Sequence, residues 1–270
     1  MKKDLHIHTN FSDGQYSPKE ILSKIKQAGI TEFAITDHDN YDGAIIMKDL
    51  VKNENLKFHI GVEISSIING YNVHLLCYDF DVLNERAKEI IEDLKVKRLK
   101  KLDMTIDYVK KCFNYSITDL EKQKLLEENH IVGKPHIYAY LSKKMNLDRE
   151  EFYNKMNDLK CENTKVDASK VINAFHNAGG KVVLAHPKEI EEEYDIDSFK
   201  IIEVLAKKGI DGLETKHSKH TYEDYIRYKI YAKKFNLFET QGSDFHGEKV
   251  KPNVKLGECK KPEKIDENIL

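Results

Sequence analysis

The sequence has few cysteines and no long apolar run. No stretch approaches the ~20 apolar residues that a membrane-spanning helix needs, and no secretory signal peptide stands at its start. The cysteines are not spaced as C-x-x-C pairs, so we interpret each as a small apolar side chain. They are Cys77, Cys112, Cys161 and Cys259. These absences predict a reduced, cytoplasmic protein with no membrane partner.

An excess of charge of one sign is also missing. The 270 residues include 44 basic and 46 acidic side chains, which gives a formal net charge of −2. Such a chain has no global attraction to nucleic acid, so any anionic substrate must be held locally. The sequence also lacks a glycine-rich phosphate loop, a nucleotide fingerprint and a Ser-His-Asp arrangement, and the reactions that depend on them are excluded. It indicates no protein partner.

What is present begins at the N-terminus, where segment 4–8 reads Asp-Leu-His-Ile-His. Its alternation is typical of a strand, in which side chains two residues apart share a face. The imidazoles of His6 and His8 are therefore predicted to reach one metal ion. The turn at 12–14, Ser-Asp-Gly, ends the strand and leaves the Asp13 carboxylate at its mouth.

Strands and helices then alternate along the chain. Apolar strands are predicted at 31–36, 57–65, 72–78, 181–187, 212–214 and up to 242, with helices at 17–28, 42–52, 168–178, 199–208 and 222–235. Polar side chains recur where strands end. About seven strand-helix units with their chemistry at one end predict an α/β fold, a closed or nearly closed parallel barrel.

Segment 84–167 has a different character, with long charged stretches of helical periodicity and few strand signals. It is predicted to be a helical insertion that caps a catalytic barrel made of 1–83 and 168–260, followed by a surface tail at 261–270. Its one chemical feature is Gly133-Lys134-Pro135-His136. Without a ligand, this stretch would be an ordinary helix start.

The polar groups at the predicted strand ends are too numerous for a single ion. Imidazole suits zinc, iron and manganese, and carboxylates bridge pairs of such ions. Two or three divalent transition metal ions (Mn²⁺, Fe²⁺ or Zn²⁺) are therefore predicted. His59, His130 and His176 lie outside this pattern. The strand-end groups are His6, His8, Asp13, Asp37, His38, Glu63, His74, His186, His217, Asp244 and His246.

These motifs resemble the polymerase and histidinol phosphatase (PHP) family. The resemblance is carried by Asp-Leu-His-Ile-His-Thr at 4–9, Ile-Thr-Asp-His at 35–38, Gly-Val-Glu-Ile-Ser at 61–65, Ala-His-Pro at 185–187 and Gly-Ser-Asp-Phe-His at 242–246. It implies a distorted seven-stranded (βα)7 barrel with a trinuclear metal site. It also implies three ligand sets: His6, His8, Glu63 and Asp244 for one ion; His74 and His186, with Glu63 bridging, for a second; and Asp13, His38 and His246 for a third.

The resemblance also implies other roles in the site. Asp37 and His217 are its candidates for catalytic roles. Asp37, next to a ligand, is expected to hold an imidazole in its tautomer, and His217 to be a ligand or a phosphate contact. His217 and His220 lie in a segment that resembles a family loop near the substrate phosphate.

The insertion resembles that of one subgroup. The Gly-Lys-Pro-His segment resembles the Gly-Arg-Pro-His of PHP enzymes that act on nucleoside 3′,5′-bisphosphates, some of which also trim RNA 5′ ends. Lys134 and His136 become substrate-binding candidates, although lysine replaces a bidentate arginine.

The predicted function is hydrolysis of a phosphomonoester by a metal-bound hydroxide, with a small nucleotide-like substrate or a short RNA as partner. The alternatives are an L-histidinol phosphate phosphatase and a non-catalytic, metal-stabilised PHP module.

Overall fold

The computed structural model describes residues 2–129, 131–159 and 164–259. His130, Cys161 and the predicted tail at 261–270 lie outside these ranges. Contacts divide the chain into two compact units, one made of residues 1–90 and 166–270 and one of residues 91–165. The two units are described separately, and the capping role of the insertion stays a prediction.

The first unit contains the β-sheet. Seven strands follow one another in the order β1-β2-β3-β4-β6-β7-β8, and β5 pairs with β3. The Leu5 N–H donates to the Gln241 carbonyl at 3.0 Å, and an isolated bridge joins Ile7 to Phe245. The last strand therefore meets the first, which confirms the nearly closed α/β barrel. The strands are β1 (Lys3–Asp4), β2 (Glu32–Ile35), β3 (Lys57–Ile68), β4 (Tyr71–Tyr78), β5 (Val166–Asp167), β6 (Lys181–Leu184), β7 (Gly212–His217) and β8 (Phe238–Gly242).

One strand corrects the prediction of an all-parallel barrel. β4 runs antiparallel to both β3 and β6. The reason is the connection: Asn69 and Gly70 alone separate β3 from β4, and a parallel crossover needs a dozen or more residues. The reversal brings the first half of β4 to the site end, where His74 pairs with Ser65.

Helices account for most of the remaining described residues. α1 begins with a capping box in which Ser17 and Glu20 satisfy each other's backbone N–H groups, as the Ser-Pro-x-Glu pattern predicts. The helix after His186 was not predicted. The described helices are α1 (Pro18–Gln27), α2 (Asp42–Leu50), α3 (Glu85–Phe113), α4 (Asp119–Glu128), α5 (Lys134–Leu141), α6 (Arg149–Asn157), α7 (Ala168–Asn177), α8 (Pro187–Tyr194), α9 (Phe199–Lys208) and α10 (Tyr222–Lys234).

Each unit has its own apolar core. In the first, Ile21 and Ile25 of α1 and Met47 of α2 pack against Phe33 and Ile35 of β2. Ala34, between those two strand residues, faces a separate cluster on the other side of the sheet, as the period of a strand requires.

The second unit buries a core that includes Leu102 of α3, Ile137 and Leu141 of α5, and Phe152 and Met156 of α6. Apolar residues three to four apart on these helices form its faces. Among the described helices of both units, none combines the length and the apolarity that a membrane span requires.

Candidate metal centre

The segment after β1 brings the first two imidazoles together. The Asp244 N–H donates to the His6 carbonyl and the His8 N–H donates to the Phe245 carbonyl, each at 2.9 Å. This pairing holds 6–8 extended beyond the end of β1, so both rings lie on one side with centroids 5.3 Å apart. A Cβ on Gly242 would lie 2.2 Å from the Cβ of His6, so this close approach requires glycine.

Glu63 of β3 lies at the middle of the cluster. Its carboxylate is 1% exposed and meets imidazole nitrogens on both edges. Oε2 lies 3.3 Å from His6 Nε2, 3.1 Å from His8 Nε2 and 3.1 Å from His38 Nδ1. Oε1 lies 3.1 Å from His74 Nδ1 and 2.8 Å from His186 Nε2. One carboxylate thus has two separate sets of imidazole neighbours.

Asp244 follows β8 and also presents two edges. Oδ1 lies 3.6 Å from His6 Nε2 and 3.4 Å from His8 Nε2. Oδ2 lies 3.4 Å from His217 Nε2 and accepts a hydrogen bond from the Lys251 ammonium. The inner oxygen therefore belongs to the imidazole cluster, and the outer oxygen accepts from Lys251.

A third grouping lies around Asp13. Its Oδ1 is 3.1 Å from His246 Nε2, and its Oδ2 is 3.9 Å from His38 Nε2. His8, Asp13, His38 and His246 each have a ligand atom within 4.8 Å of the others'. The Asp13 carboxylate is 38% exposed, in contrast to the buried Glu63 and Asp244.

These distances fit metal ions placed between the side chains. Ligand atoms about 2.0–2.2 Å from one ion lie about 3.0–3.5 Å from each other, and most of the separations above fall in that range. Among the described residues, no hydrogen bond satisfies the buried atoms His6 Nε2, His8 Nε2, Asp13 Oδ1 or His38 Nδ1. Such a concentration of unsatisfied polar atoms is expensive without a cation.

The pKa values give a second indication. Burial lowers the pKa of His8, but the neighbouring Asp244 and Glu63 carboxylates outweigh it and raise the pKa to about 9. Burial raises the pKa of Glu63, but the imidazoles, His38 first, hold it well below its usual range. The carboxylates therefore draw a proton onto His8, whereas burial lowers the pKa of His38 to about 3. Divalent ions would replace the proton on His8, and metal affinity would rise with pH.

Two acceptors behind the imidazoles set their tautomers. Glu214 Oε1 lies 3.1 Å from His6 Nδ1, and the Asp244 carbonyl lies 3.0 Å from His246 Nδ1. A proton on each Nδ1 leaves the Nε2 lone pair for the cluster. Glu189 Oε2 lies 3.3 Å from His186 Nδ1, an ion-pair distance without a hydrogen bond. Sequence reasoning missed Glu214 and Glu189.

The sequence predicted that Asp37 would hold an imidazole directly. Asp37 is buried, but its hydrogen bonds in the described residues go to Thr9 and Ser12. Its Oδ1 accepts from the Thr9 N–H at 2.6 Å and the Ser12 hydroxyl at 2.7 Å, and its Oδ2 accepts from the Thr9 hydroxyl at 2.7 Å. The Ser12 hydroxyl lies 3.3 Å from His8 Nδ1. The hydrogen bonds from Thr9 and Ser12 occupy the Asp37 oxygens, and the Ser12 hydroxyl lies between Asp37 and His8.

His217 and His220 differ in tautomer. His217 Nδ1 accepts the Lys219 N–H at 3.2 Å, so a neutral ring carries its proton on Nε2, which faces Asp244. His220 Nδ1 lies 2.9 Å from the Thr215 carbonyl, so its Nε2 carries a lone pair. Burial, then the neighbouring His217, lowers the pKa of His220 to about 4. The Nε2 atoms of both rings are buried and have no hydrogen-bond partner among the described residues.

The two candidates in the second unit make contacts within that unit. The Lys134 ammonium donates to the Met156 carbonyl at 2.8 Å. His136 Nδ1 accepts the Gly133 N–H at 3.1 Å, which closes the start of α5. Both contacts match the simple helix-start interpretation, and their substrate roles stay a prediction.

Two histidines outside the pattern, His59 and His176, pair with other carboxylates. His59 lies between Asp79 and Glu32, with ring nitrogens at 2.6 and 3.1 Å. His176 Nε2 lies 2.6 Å from Asp211.

Comparison with known proteins places the chain among phosphoesterases. The profile of the PHP domain family matches residues 4–218. The chain is 26% identical to a phosphoribosyl 1,2-cyclic phosphate 1,2-diphosphodiesterase of Eggerthella lenta, over 92% of this chain and 95% of that protein. It is 27% identical to a 5′-3′ exoribonuclease of Haemophilus influenzae, over 91% and 90%.

Two further proteins support the same grouping. The chain is 22% identical to a 3′,5′-nucleoside bisphosphate phosphatase of Chromobacterium violaceum, over 90% of this chain and 86% of that one. A solved structure described as a metal-dependent phosphoesterase, from Bifidobacterium adolescentis, has a TM-score of 0.81 and 27% identity and covers 95% of this chain and 91% of its own.

Proposed function

The chain belongs to the PHP domain family and is a metal-dependent phosphoesterase, and on this premise we propose that it removes the 3′-phosphate of a nucleoside 3′,5′-bisphosphate. Short RNA with an accessible 5′ end is the second substrate of this proposal. The native metal is proposed to be Mn²⁺, Fe²⁺ or Zn²⁺, in two or three copies.

The cluster around Glu63 carries the chemical part of the proposal. Divalent ions bound there would supply Lewis acidity and a water of lowered pKa for attack on phosphorus. Because each Glu63 oxygen faces its own set of imidazoles, this carboxylate can bridge two ions. The proposed ligands are His6, His8, Asp13, His38, Glu63, His74, His186, Asp244 and His246.

The chain's other groups position the ligands and the substrate. Glu214 keeps the proton of His6 on Nδ1, which directs the Nε2 lone pair into the centre. His217 Nε2 lies 3.4 Å from the outer oxygen of Asp244, and His217 is proposed as a metal ligand or a phosphate contact.

The substrate is proposed from two observations together. Relatives that match most of this chain are named for a nucleoside bisphosphate and for 5′-3′ degradation of RNA. The Gly133–His136 segment resembles the corresponding segment of enzymes with these substrates. Both compounds are ribose phosphates. A nucleoside bisphosphate carries both phosphates on one sugar, and in RNA the second phosphate joins that sugar to the next one.

A second candidate is the opening of a 1,2-cyclic phosphate on a phosphorylated ribose. The relative named for that reaction aligns with 92% of this chain at 26% identity, above the identity to the bisphosphate phosphatase. The same metal centre serves a diester and a monoester, so the centre does not discriminate between them.

A substrate panel separates these proposals. Metal-free protein would be loaded with Mn²⁺, Fe²⁺ or Zn²⁺ and given 3′-phosphoadenosine 5′-phosphate, a 5′-phosphorylated trinucleotide, phosphoribosyl 1,2-cyclic phosphate and L-histidinol phosphate. Chromatography would identify each product. We expect the highest kcat/KM for 3′-phosphoadenosine 5′-phosphate. A higher value for the cyclic phosphate or for histidinol phosphate would refute the leading substrate, and no turnover of any compound would favour the non-catalytic module.

A further inference from the structure

A lysine close to the metal centre has no role in the predicted site. Lys251 lies nine residues beyond the last residue of β8, Gly242, and its ammonium donates to Asp244 Oδ2. The lysine that the sequence singles out for phosphate, Lys134, donates instead to the Met156 carbonyl within the second unit.

The backbone holds Lys251 in place relative to the ligands. Its N–H donates to the Gly247 carbonyl at 2.9 Å, which closes a turn directly after His246. That turn is fastened to the loop after β1: the Gln15 N–H donates to the His246 carbonyl at 2.7 Å, and Gln15 Oε1 accepts the Lys249 N–H at 2.9 Å.

Gly247 makes this docking of the turn possible. Its φ is +96°, and a Cβ there would lie 2.4 Å from the Cβ of Gln15. A left-handed glycine is thus required for the turn to pack on the loop that carries His8 and Asp13.

The ammonium lies at the border between the cluster and solvent. The Lys251 side chain is 31% exposed, whereas Asp244 is 5% exposed. The inner oxygen of Asp244 faces His6 and His8. The outer oxygen accepts a hydrogen bond from Lys251 and lies 3.4 Å from His217 Nε2. The Lys251 ammonium therefore lies where the buried cluster opens to solvent, whereas the His217 side chain is fully buried.

We propose that Lys251 contacts the substrate's phosphate and supplies the positive charge that the sequence assigns to Lys134. An ammonium has three N–H donors, and the contact with Asp244 uses one of them. A phosphate at this edge would accept from the remaining N–H groups of Lys251, whose positive charge favours an anion. The inference rests on the phosphoester chemistry proposed above and not on the identity of the nucleoside.

The test compares Lys251→Met and Lys251→Arg with Lys249→Met. Lys249 is exposed on the same turn, and it contacts Gln15 through its backbone N–H, so its substitution removes the same charge without touching the centre. Manganese content would be measured by elemental analysis, and the dissociation constant for inorganic phosphate by calorimetry on the Mn²⁺-loaded protein. Thermal melting would confirm that each variant is folded.

We expect Lys251→Met to weaken phosphate binding roughly 10- to 100-fold at unchanged manganese content, since a charged hydrogen bond has about this effect. Lys251→Arg should recover part of the affinity, and Lys249→Met should match the unsubstituted protein. Unchanged phosphate affinity would overturn the proposal. The proposal would also be overturned if Lys251→Met bound less manganese but, once fully loaded, bound phosphate with normal affinity. Lys251 would then only position Asp244.

The binding measurement also separates this inference from the proposed substrate. If 3′-phosphoadenosine 5′-phosphate is not turned over but Lys251→Met still weakens phosphate binding, the substrate proposal fails and the Lys251 contact stands. Where turnover is measured, the variant should raise KM more than it lowers kcat.

Discussion

Replacing Glu214 by glutamine should disrupt metal binding although Glu214 belongs to none of the three ligand sets. The carboxylate is fully buried, accepts from His6 Nδ1 at 3.1 Å and accepts the His186 backbone N–H at 2.8 Å. Glutamine has the same shape but only one acceptor oxygen, so its NH₂ group must face one of these two donors.

Either orientation of the new amide is unfavourable. If the NH₂ faces His6, the ring must accept at Nδ1, and its proton moves to Nε2, which then cannot bind an ion. If the NH₂ faces His186, a buried backbone N–H loses its acceptor. One unsatisfied buried donor costs about 1–3 kcal/mol, and loss of a partner behind a metal ligand typically weakens metal affinity about 10- to 100-fold.

In the assay, metal-free protein is titrated with Mn²⁺ and the heat of binding is measured by calorimetry. The control variant is Glu239→Gln. Glu239 is exposed on β8 and accepts from the Thr215 hydroxyl at 3.0 Å, so it offers the same chemical change away from the centre. We expect Glu214→Gln to weaken at least one binding step and the control to match the unsubstituted protein. Mn²⁺ affinities equal to those of the unsubstituted protein would refute the tautomer argument.

Three further outcomes follow from the structure. Asp13→Asn should lower the manganese content by about one ion per chain and Glu63→Gln by more, because Asp13 serves one grouping and Glu63 faces two; equal losses by elemental analysis would contradict this. Hydrogen bonding to Asp79 raises the pKa of His59 above 6.5, so the stability that this contact contributes is full below pH 6.5 and is lost as the pH rises past the raised pKa. The difference in unfolding free energy between the unsubstituted protein and His59→Gln, measured in urea, should therefore shrink between pH 5.5 and pH 9. A difference that stays constant with pH would contradict this linkage. Arg227→Met should lower the free energy of unfolding by about 1–3 kcal/mol because Glu191, 8% exposed, loses its 2.6 Å partner; an unchanged urea midpoint would show that water replaces the arginine.

Local patterns predicted much of the fold. The capping box at Ser17 and Glu20 gives the start of α1, and the bounds predicted for α9 agree with the structure. The reversal of β4 depends on the shortness of the Asn69-Gly70 connection, which a scan for apolar strands does not weigh. α8 was missed because Pro187 was taken as the end of a strand, whereas proline also suits the first turn of a helix.

The site shows the same division between local and distant information. His6 and His8 lie in one short motif, so their shared face follows from the period of a strand, and the structure brings them together. Glu214 and His217 would lie on opposite faces of a regular β7. A register irregularity between Glu214 and Lys216 turns both inward and leaves Lys216 exposed, which periodicity does not predict. Lys251 reaches Asp244 through a turn whose position depends on contacts with the distant Gln15.

The central claim is that Glu63 joins two ions in a centre that contains more than one metal. Anomalous diffraction from crystals of the Mn²⁺-loaded protein, collected above and below the manganese edge, tests it most directly. We predict at least two anomalous peaks, with one Glu63 oxygen bound to each of two ions and His6, His8, His186 and Asp244 among the other ligands. A single peak, or two peaks of which only one contacts Glu63, would contradict the account.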